Sequence, residues 1–180
     1  MCALFERGAS CYGPGMALAQ NKLSQNLSKL EKLPAPVAAF ARTQLMGRLV
    51  KFVGTAGLHI EALTEEHCVA TLANRTKVQN HIGGIHAAAM ALLAETVTGF
   101  VVGMNVPDDR VPVIKSLHVD YTKRAKGDLR AVATLSAADR ERMRTEEKGE
   151  VTVPVVVTDS ANVEPIHCEM IWAWTPKKRG

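Results

Sequence analysis

Residues 85–104 read Ile-His-Ala-Ala-Ala-Met-Ala-Leu-Leu-Ala-Glu-Thr-Val-Thr-Gly-Phe-Val-Val-Gly-Met and carry a single formally charged side chain, Glu95. A run of this length, rich in Ala and Leu and free of proline, predicts one long buried helix, closed by Asn105 and Pro107. Its small residues (Ala87, Ala88, Ala89, Ala91, Ala94, Gly99 and Gly103) let a neighbouring layer approach the helix backbone closely. That is the physical signature of a sheet wrapped around a helix. A carboxylate held in such a run costs stability unless it has partners or a task.

The segments on either side set the fold class. Leu58–Leu63 and Cys68–Leu72 alternate like two short strands joined by a turn at Thr64-Glu65-Glu66. After the helix come four strand-like runs: Val113–Thr122, Leu129–Ala137, Glu150–Thr158 and His167–Trp174. Two strands, one central helix and four strands in meander make an α+β plan with an antiparallel sheet. Residues 139–150 are densely charged with no apolar period and read as a solvated loop. Upstream, residues 1–15 look like a loose leader. Helical spacing then runs through Leu18, Leu23, Leu27 and Leu30, is broken at Pro34 and Pro36, and resumes through Val37, Phe40, Leu45, Leu49 and Phe52. The expected organisation is a leader and flanking helices over 1–57, the main domain over 58–175, and a basic tail over 176–180.

Composition narrows the function classes. The net charge of +4 and pI near 9.0 are mild: the plain reading is a soluble domain with a few extra lysines, and the functional alternative is a local attraction for an anionic ligand. Aromatics at 4% leave little material for base stacking, so no nucleic-acid partner is expected. The run from Ile85 to Met104 is interrupted by His86 and Glu95 and reads as a core helix, so no membrane partner is expected either. Cys2, Cys11, Cys68 and Cys168 show neither CxxC nor zinc spacing. They read as free thiols in a reducing compartment, with no metal and no cofactor. The cytoplasm is the expected location, although Arg7 and the scarcity of acids at the N-terminus also suit a weak mitochondrial presequence.

The segment leading into the helix, Asn80-His81-Ile82-Gly83-Gly84-Ile85-His86, and the acid at Glu95 resemble the hotdog-fold acyl-CoA thioesterases of the PaaI type. That family shows an Asn or Gln six residues before a His-Gly-Gly at a helix start, and an Asp or Glu nine residues after the His. Here Asn80 precedes His86 by six, and Glu95 follows it by nine. Leu-Ala-Glu-Thr at 93–96 is similar to the branch acting on hydroxybenzoyl-CoA. Val119-Asp120-Tyr121-Thr122-Lys123-Arg124 before Gly127-Asp128 is similar to the family's Asp-Phe-Leu-Arg-Pro strand end. Two positions depart from the pattern: His86-Ala87-Ala88 replaces His-Gly-Gly, and Arg124-Ala125 replaces Arg-Pro.

The resemblance implies hydrolysis of an acyl-CoA, with CoA as part of the substrate. Thioester hydrolysis needs oxyanion donors, a base or nucleophile, and a hold on the CoA. The N-terminus of the helix has unpaired N–H groups and a partial positive charge, and Gly84 lets a carbonyl approach the donors of His86 or Ala87. Asn80 is positioned to donate its side-chain amide to the same oxygen. Glu95 is the candidate base or nucleophile, and burial is expected to raise its pKa. Ser116 is a candidate for assisting the acid, and Lys123 and Arg124 for holding CoA phosphates, as the family implies. Leu92, Leu93, Val97 and Phe100 are candidates for lining an acyl pocket. Thr98, one turn beyond Glu95, reads as satisfying a helix carbonyl.

Nine residues of α-helix rise about 13.5 Å, with the two ends roughly half a turn out of phase. His86 and Glu95 of one chain therefore cannot meet at one carbonyl. A shared site needs a second subunit lying antiparallel alongside, so the spacing predicts a twofold homodimer, alone or as a dimer of dimers. Two readings stay open: a thioesterase, or a non-catalytic acyl-CoA-binding hotdog protein acting as sensor or scaffold. A hotdog hydratase is disfavoured, because residues 78–83 lack the acid and proline of its Asp-x-Asn-Pro-x-His loop.

Overall fold

The computed structural model describes residues 21–30 and 32–178. The leader, Leu18, Cys2, Cys11 and the last two residues of the basic tail lie outside them. Along the described chain run α1 (Lys22–Leu30), α2 (Ala35–Leu49), α3 (Lys51–Ala56), β1 (His59–Leu63), β2 (His67–Leu72), α4 (Ala87–Asn105), β3 (Arg110–Tyr121), β4 (Leu129–Thr134), α5 (Ala137–Thr145), β5 (Gly149–Thr152), β6 (Val155–Asp159) and β7 (Ile166–Pro176). A short 3-10 turn covers Thr76–Val78.

Every strand pairing is antiparallel, in the orders β1-β2-β4-β6 and β3-β7-β5. The single strand expected over 150–158 is split at Pro154, which has no N–H to donate. Its two halves hand the sheet over. Val153 donates to the Met170 carbonyl at 2.9 Å, and the Pro154 carbonyl accepts from Thr134 at 3.1 Å. Joined through this segment, the strands curve around α4 as the hotdog plan requires.

α4 is apolar and long enough to cross a bilayer by length and composition, but it is the core helix. Leu93, Ala94, Val97, Val101 and Val102 are fully buried. They pack in one cluster with Ala70, Leu129, Ala131, Ala133 and Met170 from the sheet. The glycine at 99 answers a close approach. A Cβ there would lie 2.6 Å from two ring carbons of Trp172, whose Nε1 donates to Thr98 Oγ1 at 2.9 Å. That bond restrains the ring from sliding aside. Gly99→Ala is therefore expected to lose about 1–3 kcal/mol to overpacking, against roughly 1 kcal/mol gained in helix propensity, and so to lower the Tm in thermal melts.

Helices α1–α3 share this core through Leu27, Met46 and Val53. The apolar spacing that marks α2 and α3 in the sequence lies on their outer face. Val37, Phe40, Leu49 and Phe52 are exposed, whereas Ala38, Arg42 and Met46 are buried. Arg42 decides the orientation. β1 carries a bulge between Ile60 and Ala62, and the Arg42 guanidinium donates to the carbonyls of Ile60 and Glu61 there. Burying this arginine supplies donors to backbone that the bulge leaves unpaired.

Residues 137–145, which overlap the expected solvated loop and take the last residue of the expected strand Leu129–Ala137, form α5. Ser136 caps it by accepting from Asp139 N at 3.1 Å, and Met143, fully buried, anchors it. Ion pairs of Arg144 with Glu65 and Arg140 with Glu66 tie it to the β1–β2 turn.

Candidate active site

The turn before α4 is built around Asn80. Its Oδ1 accepts from the N–H groups of Ile82 and Gly84, both at 3.1 Å. Its backbone N–H donates to Gly84 at 2.8 Å, and its carbonyl accepts from Gly83 at 3.1 Å. Gly83 has φ +76 with open space around it, so conformation rather than crowding requires glycine there. The Asn80 Nδ2 has no partner among the described residues, and so remains available to a ligand.

His86 is the N-cap of α4, its Nδ1 accepting from Ala88 N at 3.1 Å. Its own N–H donates to the Val78 carbonyl at 2.8 Å. This corrects part of the expectation. Neither the His86 N–H nor that of Ala88 is free to meet an oxyanion, because capping and the turn have used both. The Ala87 N–H has no partner among the described residues and is the remaining donor. The alanine that replaces the family's glycine keeps that N–H.

Asn80, Gly84 and Ala87 open onto a cavity of about 220 Å³ shared with Tyr121, Lys123 and Arg124. The expected basic pair is thus brought to the turn, where an Arg124 Nη donates to the Ile82 carbonyl at 3.5 Å. Tyr121 was not singled out from the sequence. Its hydroxyl donates to the Ala87 carbonyl at 2.9 Å and fixes the first residue of the helix. It shares with Leu117 and Val119 the face of β3 that pairs with Met170 and Ile166, which carries its hydroxyl toward the helix start while the ring stays half exposed.

Glu95 is half-buried and lines a different cavity, of about 440 Å³. Its carboxylate accepts no hydrogen bond and joins no ion pair among the described residues. Burial pushes its pKa above the ordinary carboxylate value. Thr98 Oγ1 bonds the carbonyls of Ala94 and Glu95, as its spacing suggests, and does not reach the carboxylate. Thr96 lines the same cavity, only 2% exposed, and its Oγ1 has no partner among the described residues. Of the side chains expected to line a pocket, Phe100 does so, while Leu93 and Val97 are fully buried in the core.

Ser116 is not brought to either group. It follows the bulge in β3 and pairs with Ile171, between Met170 and Trp172. Trp172 faces α4, so Ile171 and Ser116 point to the opposite side of the sheet. Cys68 and Cys168 are free, and burial pushes their thiols up to about 12 and about 11. Neither is a thiolate at neutral pH.

Within one chain, then, the donors at the start of α4 and the carboxylate of Glu95 serve separate cavities. The eight residues from Ala87 to Glu95 span about 12 Å of helix rise.

Comparison with known proteins gives this arrangement a family. The DUF4442 family, described as a domain of unknown function, matches residues 39–174. No curated protein matches the chain. Among solved structures, it resembles PA5026 of Pseudomonas aeruginosa, a protein of unknown function described as a "probable thioesterase". The two are 25% identical with a TM-score of 0.69, over 81% of this chain and 97% of that one. Thioesterase HI1161 of Haemophilus influenzae is 15% identical (TM-score 0.62, 78% of this chain and 92% of that one). A mutant of thioesterase PA1618 of Pseudomonas aeruginosa is 14% identical (TM-score 0.61, 75% and 94%). The last two show likeness of fold alone. The chain is a member of the DUF4442 family, built on the hotdog fold of the thioesterases.

Proposed function

We propose that this protein hydrolyses an acyl-CoA thioester, and that each active site is assembled from two subunits. The observation that carries this reading is the division of labour along α4. Among the described residues, a helix start has one spare N–H and one spare side-chain amide, and a half-buried carboxylate without partners sits eight residues on. The thioester carbonyl accepts from the Ala87 N–H and Asn80 Nδ2 of one subunit. Glu95 of the partner takes a proton from the attacking water, or itself adds to the carbonyl carbon to give an anhydride that water then opens. In either route the carbonyl electron pair moves onto oxygen, returns, and expels the CoA thiolate. Lys123 and Arg124, exposed beside the donors, meet the CoA phosphates.

Two features support the shared site. One is the separation of the two groups along α4. The other is β3, an edge strand twelve residues long on which Val113, Ile114 and Leu117 are exposed. An apolar edge of that length is a surface for pairing with another chain.

Asn80→Asp tests the oxyanion role apart from the turn role. Aspartate keeps an acceptor for Ile82 and Gly84 but removes the Nδ2 donor. The expected result is a fall of about 10²–10³-fold in kcat with little change in Tm. Unchanged kcat in a folded protein would restrict Asn80 to the turn. Binding of acyl-CoA without release of free thiol from a panel of acyl-CoAs would overturn hydrolysis in favour of a binding protein.

A further inference from the structure

We infer that the cavity lined by Glu95 is an acyl-chain pocket roofed by α2 and α3, and that it selects a linear aliphatic chain of medium length over an aryl group. The inference rests on Glu95 acting at the thioester and adds the substrate class.

The floor of the cavity is one stripe of α4, Glu95–Gly99–Gly103, continuing to Val106. Residues spaced by four share a helix face, so the stripe starts at the carboxylate; the Trp172 ring packs directly on Gly99, and the missing side chain at 103 leaves open space beyond it. The roof is the bend between α2 and α3 at Val50, with Met46, Leu49 and Val53. Two glycines set that bend. A Cβ on Gly54 would fall 2.7 Å from the Gly47 carbonyl oxygen, so the two helices close upon each other only because both positions lack side chains. Phe100 and Trp172 form the walls.

Polarity is arranged for a chain with a reactive head. At the Glu95 end, the buried Thr96 hydroxyl has no partner among the described residues, which leaves it for a ligand polar group or its water. At the far end the polar groups are already used. Asn21 Nδ2 donates to the Gly103 and Val106 carbonyls, both at 2.7 Å. Lys177 Nζ donates to the Asp108 carbonyl, and the Arg110 guanidinium donates to the carbonyls of Met143 and Arg144 while pairing with Asp109. Such an end calls for no charged terminus on the chain.

Size decides between aliphatic and aryl. An apolar cavity of about 150 Å³ takes up one benzene ring, and this one holds about 440 Å³. From Glu95 to its end at Asn105 the helix rises about 15 Å, the length of an extended chain of about twelve carbons.

The test uses non-hydrolysable S-alkyl-CoA thioethers, from ethyl to hexadecyl, with benzyl for comparison, and measures Kd by calorimetry on the whole protein. Kd is expected to fall about 4-fold per methylene and to level off near ten to twelve carbons, with benzyl on the order of 100-fold weaker than decyl. In Gly103→Leu the levelling is expected several carbons earlier. This variant should fold, because the new Cβ meets nothing nearer than Leu23 Cδ2 at 3.7 Å and leucine favours the helix. A Kd in the wild-type protein that is independent of chain length, or tighter for benzyl than for decyl, would overturn the inference. So would a folded Gly103→Leu with the wild-type length profile. Binding of thioethers needs no turnover, so the two proposals fail separately. Length-dependent binding without thioester hydrolysis removes only the hydrolase reading. Glu95-dependent hydrolysis with no length dependence removes only the pocket.

Discussion

Glu95→Gln is expected to lower kcat for acyl-CoA hydrolysis by about 10²–10⁴-fold, the usual contribution of a positioned base, while making the folded protein no less stable at neutral pH. Most substitutions at a half-buried helix position destabilise. This one is different because the wild-type carboxylate carries a desolvation cost and receives no hydrogen bond from the described residues in return. Glutamine keeps the shape and removes the charge.

The pH dependence separates this account from a merely structural one. Burial raises the pKa of Glu95 in the folded protein above its unfolded value. The folded state therefore binds this proton more tightly than the unfolded state does. Its stabilising effect is fully present below the unfolded pKa and is lost as pH rises through the folded pKa. Melting curves of wild type and Glu95→Gln should run parallel at acid pH and diverge above it, with the wild type falling relative to the variant. Over the same window kcat/KM of the wild type should rise, with its acid limb displaced above the ordinary carboxylate range. Stability and activity thus move in opposite directions with one titration. Coincident stability profiles would show that Glu95 is not held at a cost.

The parts of the fold that sequence revealed are those with a strong period. The apolar run of α4, the alternation of β1, β2, β3 and β7, and the Asn80 turn all lie where the local pattern indicates. α5 was hidden because a single buried methionine, Met143, anchors a helix whose other side chains are mostly charged, so no apolar period marks it. The buried face of α2 is not marked by its apolar residues for a related reason. Val37, Phe40 and Leu49 are the apolar residues in the sequence, but the position facing the sheet is Arg42, required by carbonyls freed at a bulge 18 residues away. Neither the bulge nor its need for donors can be read from spacing.

The candidate site shows the same division. Asn80, Glu95 and the basic pair stand out as candidates through residue type, interval and the family resemblance. Which backbone donor stays free does not, because the His86 and Ala88 N–H groups are consumed by a strand-like bond to Val78 and by a histidine cap. Thr96 is not distinguished from any other core threonine by sequence; what marks it is a hydroxyl beside Glu95 without a partner among the described residues.

A mixed-subunit experiment tests the shared site most directly. Glu95→Gln and Asn80→Asp chains, each nearly inactive as homodimers, are expected to recover about a quarter of wild-type activity when co-expressed in equal amounts and allowed to assemble. Random pairing makes half of the dimers mixed. In each mixed dimer, one site joins the Asn80 of the first chain to the Glu95 of the second and is intact, while the other site carries both lesions. Half of the dimers, each with half of its sites, gives the quarter. If instead each site belonged to one chain, every site in every mixed dimer would carry one lesion, and activity would stay at the level of the two inactive parents. A quarter of wild-type activity against parents that have each lost about 10²-fold or more is a difference of about 25-fold or more, far beyond any error in subunit ratio. The geometry of α4 makes the first outcome the expected one, since no rotation of a side chain closes about 12 Å of helix rise.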